Sequence, residues 1–196
     1  MNKVIAIIPA RGGSKRLPRK NIHPFLGLPM IAYSIEACKK SRYIDRIFVS
    51  TEDKEIANIS KKLGAEIINR PDHLAGDHIW LQDVLKHAVL DILEKGVKFD
   101  LVARVQASSP MVEAAKIDEA IEKLRKHNLW EVSSVNQNGV EDAAIHILKK
   151  DVIFQNALSV YKGVVITDYI DIHTKNDIKK AEELLKIKLN KKYAKD

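Results

Sequence analysis

Residues 4–21 read VIAIIPARGGSKRLPRKN. The opening run, Val4–Ile8, is short, continuous and apolar, the pattern of a strand buried inside a parallel sheet. The loop leaving it is unlike an ordinary turn. Gly12 and Gly13 stand side by side among Arg11, Lys15, Arg16, Arg19 and Lys20, with Lys3 just upstream. Like charges so placed repel, so either an anion sits among them or the stretch is a solvated basic loop. Paired glycines permit positive φ and leave amides uncovered for phosphate oxygens. Arginine and lysine add charge-assisted hydrogen bonds to the same anion. A polyphosphate cradle is therefore the expectation, although neither G-x-x-x-x-G-K-[ST] nor G-x-G-x-x-G is satisfied.

Working outward, short apolar runs alternate with segments of helical period, as in a parallel sheet with crossover helices. Strands are expected at Val4–Ile8, Arg46–Ser50, Glu66–Ile68, Asp100–Gln106 and Val132–Val135, and helices at Met30–Lys40, Asp53–Leu63, Leu81–Glu94 and Ala114–Lys126. Gly64 and Gly96 stand where left-handed helix caps belong. Ser50 or Thr51 offers a hydroxyl cap to the second helix, whose positive end is matched by Glu52, Asp53 and Glu55. After Val135 the rhythm changes. AIHILKKDVIF (144–154) suggests two short antiparallel strands about Lys149-Lys150-Asp151, Val164–Ile172 an extended stretch, and 174–188 an amphipathic helix with Thr174 and Asp177 at capping-box spacing. The fold class expected is α/β, three-layered, with a mostly parallel sheet and a short antiparallel element. In such sheets ligands gather beyond the carboxyl ends of the strands. That directs attention to Pro9–Asn21, Ser50–Asp53, Asn69–Asp77 and Ala107–Pro110.

The 196 residues, 45% hydrophobic and 30% charged, suit one packed domain over 1–196 rather than a disordered chain. A formal charge of +7 leaves nucleotide or nucleic acid open as partners. Part of that excess is the solvated C-terminal series Lys186, Lys188, Lys191, Lys192 and Lys195. The chain has no helix-turn-helix pattern, zinc-ligand spacing or aromatic RNA-binding strand, so nucleic acid is not the expected partner. Cys38, alone, excludes an intrachain disulfide and reads as packing. No apolar stretch approaches the ~20 residues of a membrane span and the N-terminus lacks signal-peptide shape, so the expected location is cytoplasmic.

The segment IIPARGGSKRLPRKNIHPFLGLPMIAYSIEA (7–37) closely resembles the N-terminal signature of the cytidylyltransferases that activate acidic sugars, the CMP-sialic acid synthetase family and its nonulosonic-acid relatives. IFVSTEDKEIANISKKLGAEIINRPDHLAGD, VQASSP and DYIDIHTKNDIKKAEELL resemble further segments of that family in order. The resemblance implies a nucleotidyltransferase fold, CTP and an acidic sugar as substrates, Mg²⁺ as cofactor, and a homodimer. Ala10, Arg11, Gly13, Ser14 and Lys15 would hold the nucleotide's triphosphate side. Arg11, Lys15 and Lys20 would be the catalytic cations, with Lys20 at the α-phosphate. Asn21, Arg70 and Asp77 would lie about the nucleotide, Gln106 and Ser108 would face the sugar, and Asp171 with His173 would mark the metal position. In that family the sugar's anomeric hydroxyl attacks the α-phosphorus of CTP and pyrophosphate leaves.

Three departures stand out. His173 occupies a position where the family usually has a second aspartate, and imidazole is a poor Mg²⁺ ligand. Val112 stands where an arginine is common. The acceptor and dimerisation element around 136–170 is short, with FQNALSVYKG in place of an arm and Asn156 its one echo. Rival readings are a transferase for another sugar or nucleotide, and a nucleotide-binding relative without transferase activity. His73, His78 and His87 are too scattered for a metal cluster, and Trp80 and Trp130 read as packing residues.

Overall fold

A computed structural model describes residues 3–156 and 159–193, with side chains to residue 188. Ala157, Leu158 and Lys195, and the side chains of Lys191 and Lys192, lie outside the described residues. The opening run becomes β1 (Val4–Pro9), buried from Val4 to Ile8 and central in its sheet. It pairs in parallel with β4 (Ile44–Thr51) on one side and β6 (Leu101–Val105) on the other. β5 (Glu66–Asn69) extends the sheet beyond β4. On the far side β8 (Glu141–Lys149) lies antiparallel between β6 and β7 (Glu131–Val135), and β9 (Lys162–Ile166) completes the edge parallel to β7. The order is β5-β4-β1-β6-β8-β7-β9. A separate two-stranded hairpin joins β2 (Pro24–Phe25) to β3 (Leu28–Pro29). Leu26 and Gly27 turn it at φ 43° and 86°, the two positive values that a tight primed turn demands.

Alternation along the strands divides the core. Ile5, Ile7, Phe48, Ile68 and Val102 face Leu85, Ala88, Val89 and Ile92 of α3 (Leu81–Glu94). Their neighbours Val4, Ala6, Ile8, Val49, Ala103 and Val105 face the other way. There they join Ile35 of α1 (Met30–Lys40), Ile56 of α2 (Lys54–Lys62), Ile121 of α4 (Ala114–Lys126) and Ile178 of α5 (Lys175–Tyr193) in one cluster. Each such fully buried Val or Ile contributes about 1.5–3 kcal/mol, so β1 alone anchors both layers. Among the described residues no helix is long and apolar enough to cross a membrane.

Several local expectations hold and others change. Gly64 and Gly96 take φ 83° and 75° after their helices. Thr174 and Asp177 form the capping box, each accepting from the other's backbone N–H at 3.2 and 2.8 Å. The cap of α2 is neither Ser50 nor Thr51 but Asp53, which accepts from Glu55 N–H and Ile56 N–H at 3.0 and 2.9 Å. Residues 144–154 are not two strands. They are the end of the single strand β8 followed by a 3₁₀ turn over Lys150–Phe154, because Lys150 N–H bonds Asp100 C=O and Ile153 drops into the α3 core. The extended stretch runs as a strand to Ile166, Thr167 N–H makes a last bond to Val135 C=O at 2.8 Å, and the chain then leaves the sheet toward the carboxyl ends of the strands.

Strand order reverses about β1, since β4 and β5 lie to one side and β6 to the other. A crevice opens at such a switch point, between the loops that leave β1 and β6.

Candidate functional site

The loop after β1 fills one wall of that crevice. Neither Gly12 nor Gly13 adopts positive φ, so conformational freedom is not why they are glycines. At Gly12 the reason is contact: a Cβ there would stand 2.5 Å from Asp53 Oδ2 and 3.1 Å from its Cβ. At Gly13 nothing lies within 4 Å of the corresponding point, and the space is open. Gly12 N–H donates to Glu52 Oε1 at 2.7 Å. Its amide therefore secures the loop to the mouth of β4, leaving anion contacts to the loop's side chains and its other amides. Arg19, itself at φ 59°, grips Asp53 through both terminal guanidinium nitrogens and Glu55 at 2.5 Å. Asp53 is held below the usual carboxylate range, first by Arg19 and then by the N–H groups it caps. The sequence accounts for Glu52 and Asp53 by the helix end alone. Their second task, fastening a loop some 40 residues earlier, is a long-range contact that no local pattern announces.

The expected site residues converge. Arg11, Lys20, Asn21, Arg70, Asp77, Gln106 and Ser108 line a cavity of about 240 Å³, together with Leu74 and Ile79 of the loop after β5. A neighbouring cavity of about 380 Å³ is lined by Ser14, Lys15, Arg16 and His173, and shares Arg11, Lys20, Asn21 and Asp77 with the first. Arg11 pairs with Asp77 at 2.6 Å and Lys15 with the other oxygen of the same carboxylate at 2.6 Å. These two cations hold Asp77 below its ordinary value, Lys15 foremost. Asn21 is buried and donates to Arg11 C=O at 2.9 Å, so it shapes the loop from within. Arg70 is also buried, bonded to Ser50 Oγ and Ser50 C=O at 3.2 and 2.7 Å. Burial lowers its pKa, against the opposing pull of Glu52. Ala10 lies fully buried beneath the loop, and Gly13 is not among the lining residues of either cavity.

At the junction of the cavities Lys20 Nζ donates to Ile172 C=O at 3.0 Å. Burial lowers its pKa, and the charge of Asp171 only partly offsets this. Gln106 is fixed by its backbone, its C=O accepting from Ser34 Oγ at 2.7 Å, and its side-chain amide reaches Asp171 at 3.5 Å. Asp171 Oδ2 lies 2.7 Å from His173 Nε2, so the imidazole is turned to the carboxylate. Among the described residues no group of three or more His, Cys, Asp or Glu could cage a metal ion. Mg²⁺ needs no such cage, because it keeps several waters and takes one or two carboxylates plus substrate phosphates. The carboxylate of Asp171, held beside the basic cavity by its contact with His173, fits that mode.

Other expectations resolve away from the crevice. Val112 is buried in the core. Asn156 accepts from Lys86 at 3.1 Å, outside both cavities. Trp80 is not a packing residue: it stands at the N-cap position of α3 and is 79% exposed, and the next residue, Leu81, is exposed as well, so the inward face of the helix begins at Val84 and Leu85. Trp130 does pack, tilted against Tyr161 with ring centroids 5.1 Å apart. Cys38 is fully buried, and burial pushes its thiol pKa up.

A crevice at the switch point of a mostly parallel sheet, walled by a cation-rich loop, is the architecture of the α/β nucleotidyltransferase fold class. Within that class the chain belongs to the cytidylyltransferase family, whose model matches residues 5–193. It is similar to the pseudaminic acid cytidylyltransferase of Campylobacter jejuni, 38% identical over 122 residues that cover 62% of this chain and 53% of that protein. It is also similar to the CMP-N,N'-diacetyllegionaminic acid synthase of Legionella pneumophila, 40% identical over 61% of this chain and 52% of the relative. The chain thus spans about half the length of these two relatives. The post-translational flagellin modification protein B of Campylobacter coli aligns throughout, 32% identical over 96% of this chain and 97% of its own length. Among solved structures, a CMP:2-keto-3-deoxy-manno-octonic acid synthetase complexed with CTP shares the fold, with a TM-score of 0.73 at 18% identity over 95% of this chain and 99% of the other.

Proposed function

We propose that this protein transfers CMP from CTP to an acidic, nonulosonic sugar and releases pyrophosphate. The observation that carries the reading is the convergence of Arg11, Lys15 and Lys20 with Asn21, Arg70 and Gln106 on two adjoining cavities at the switch point. The similarity to enzymes named for pseudaminic and legionaminic acids supports the acidic class of acceptor.

In this reading the nucleoside occupies the cavity beside Asn21 and Arg70, and the phosphates extend into the basic cavity. Arg11 and Lys15 bind the outer phosphates, with the open space at Gly13 allowing close approach. Lys20, half withdrawn from water, holds its positive charge at the α-phosphate, where charge develops as the sugar hydroxyl attacks and pyrophosphate leaves. A cation with little water about it stabilises such charge more than an exposed one does. Gln106 and Ser108 orient the acceptor, and this positioning is most of what nucleotidyl transfer demands of a protein. Mg²⁺, held by Asp171, water and phosphate, would neutralise phosphate charge.

The deciding experiment incubates the protein with CTP, Mg²⁺ and, separately, pseudaminic, legionaminic and N-acetylneuraminic acids. Pyrophosphate release and a CMP-sugar mass are expected with at least one acceptor. Binding of CTP without release for any acceptor or divalent metal would instead favour a nucleotide-binding relative, consistent with the short segment 136–170.

A further inference from the structure

Asp77 occupies two of the basic loop's cations at once, Arg11 and Lys15. Its Oδ1 meets Arg11 at 2.6 Å and its Oδ2 meets Lys15 at 2.6 Å, while the other Arg11 nitrogen donates to Ala75 C=O at 3.3 Å. The segment after β5 is thereby strapped across the mouth of the crevice. Asp77 is one of only four residues shared by the two cavities, whereas Ser14, Lys15 and Arg16 belong to the basic cavity alone. A polyphosphate lying in the basic cavity needs the very cations that Asp77 holds, and a carboxylate left there would face phosphate oxygens of like charge.

We infer that Asp77 is a specificity-determining residue that stands in for the polyphosphate: pyrophosphate or the outer phosphates of a nucleoside triphosphate displace its carboxylate from Arg11 and Lys15. It then reclaims both cations when pyrophosphate departs. The inference rests on the proposed CTP reading, because that reading places the outer phosphates at these cations. A nucleoside monophosphate, whose only phosphate lies at Lys20, leaves the Asp77 pairs intact. Asp77 therefore weakens binding of ligands carrying outer phosphates, does not weaken that of CMP, and favours release of the leaving group. No bond is made or broken in this exchange; one set of ion pairs replaces another.

Calorimetric titration of inorganic pyrophosphate, CTP and CMP into the wild type and Asp77→Asn, at one fixed salt and Mg²⁺ concentration, tests it. All three side chains at the contact are at least partly exposed, Lys15 most of all, and ion pairs of that kind are weak. Releasing two of them is expected to tighten pyrophosphate and CTP on the order of two- to thirty-fold, with CMP unchanged. Thermal melts establish that the variant is folded, and Asp77→Ser, which also lacks the carboxylate, is expected to move both ligands in the same direction. Weaker or unchanged pyrophosphate binding in both variants would overturn the inference, by showing that Asp77 pre-orders Arg11 and Lys15. Equal tightening of CMP would overturn it too, since the effect would then belong to the whole crevice. Either result leaves the CTP reading standing if the wild type binds CTP. Absence of CTP and pyrophosphate binding to the wild type would instead remove the reading beneath it.

Discussion

Gly12 and Gly13 are adjacent and chemically identical, yet their surroundings differ, and alanine at each should separate stability from binding. An added Cβ at Gly12 meets Asp53 Oδ2 at 2.5 Å. Asp53 cannot simply swing aside, because it caps α2 and is gripped by Arg19. The clash is relieved either by giving up the cap, worth roughly 0.5–2 kcal/mol, or by shifting the loop off Glu52, which loses a charged hydrogen bond worth about 1.5–3 kcal/mol. Gly12→Ala should therefore destabilise by about 1–3 kcal/mol. In a chain of this size that lowers Tm by about 2–12 °C. Gly13→Ala meets nothing within 4 Å and has no positive φ to lose. Its melt should match the wild type or rise slightly, through a less disordered unfolded chain. Gly13 lines neither cavity, but in the proposed reading an outer phosphate approaches the loop from the open space at this position, which the new methyl would fill, so CTP binding should weaken. Circular-dichroism melts and CTP titration on both variants supply the four numbers required. The division of tasks is refuted if Gly12→Ala melts like the wild type, or if Gly13→Ala costs as much stability as its neighbour.

Further outcomes come from the same geometry. Because Asp53 has a depressed pKa in the folded protein, its stabilisation is complete above its unfolded value of about 3.9 and is lost as pH falls through the lower folded value. Urea melts should accordingly show a stability gap between wild type and Asp53→Asn that is constant near neutrality and closes in acid; a gap that widens in acid would refute the pairing. Lys20→Ala should reduce turnover on the order of 10²–10³-fold, the usual cost of losing a charge stabiliser, and steady-state kinetics with saturating CTP would detect it. Asp171→Asn should abolish Mg²⁺-dependent pyrophosphate release. His173→Asp should lower the Mg²⁺ concentration needed for half-maximal rate, and an unchanged Mg²⁺ requirement in both would place the metal elsewhere.

Much of the fold was legible because it is local. The apolar run 4–8, the glycine caps at 64 and 96 and the Thr174–Asp177 box each depend on residues a few positions apart, and each forms as the pattern predicts. The short hairpin at 24–29 escapes because strands of two residues carry no periodicity. Lys149-Lys150-Asp151 looks like a hairpin turn, but its register is set by Asp100, distant in sequence, and by burial of Ile153 against the far-off α3 segment. The candidate site divides along the same line. Its cations are visible as a dense run, whereas the carboxylates that fasten the loop, Glu52 through the Gly12 amide and Asp53 and Asp77 through its cations, are assigned partners only by the fold. Trp80 shows the converse case, since an apolar neighbourhood in sequence does not say whether it is buried, and both Trp80 and Leu81 stand exposed at the start of α3.

The proposed chemistry stands or falls with the grip of the loop between β1 and α1 on a nucleoside triphosphate. Isothermal titration of CTP into the wild type, Arg11→Ala and Lys15→Ala measures that grip. Saturable binding to the wild type, weakened on the order of ten- to a hundred-fold where a charge-assisted contact to phosphate is removed, is the predicted result. Undiminished binding in both variants would contradict it.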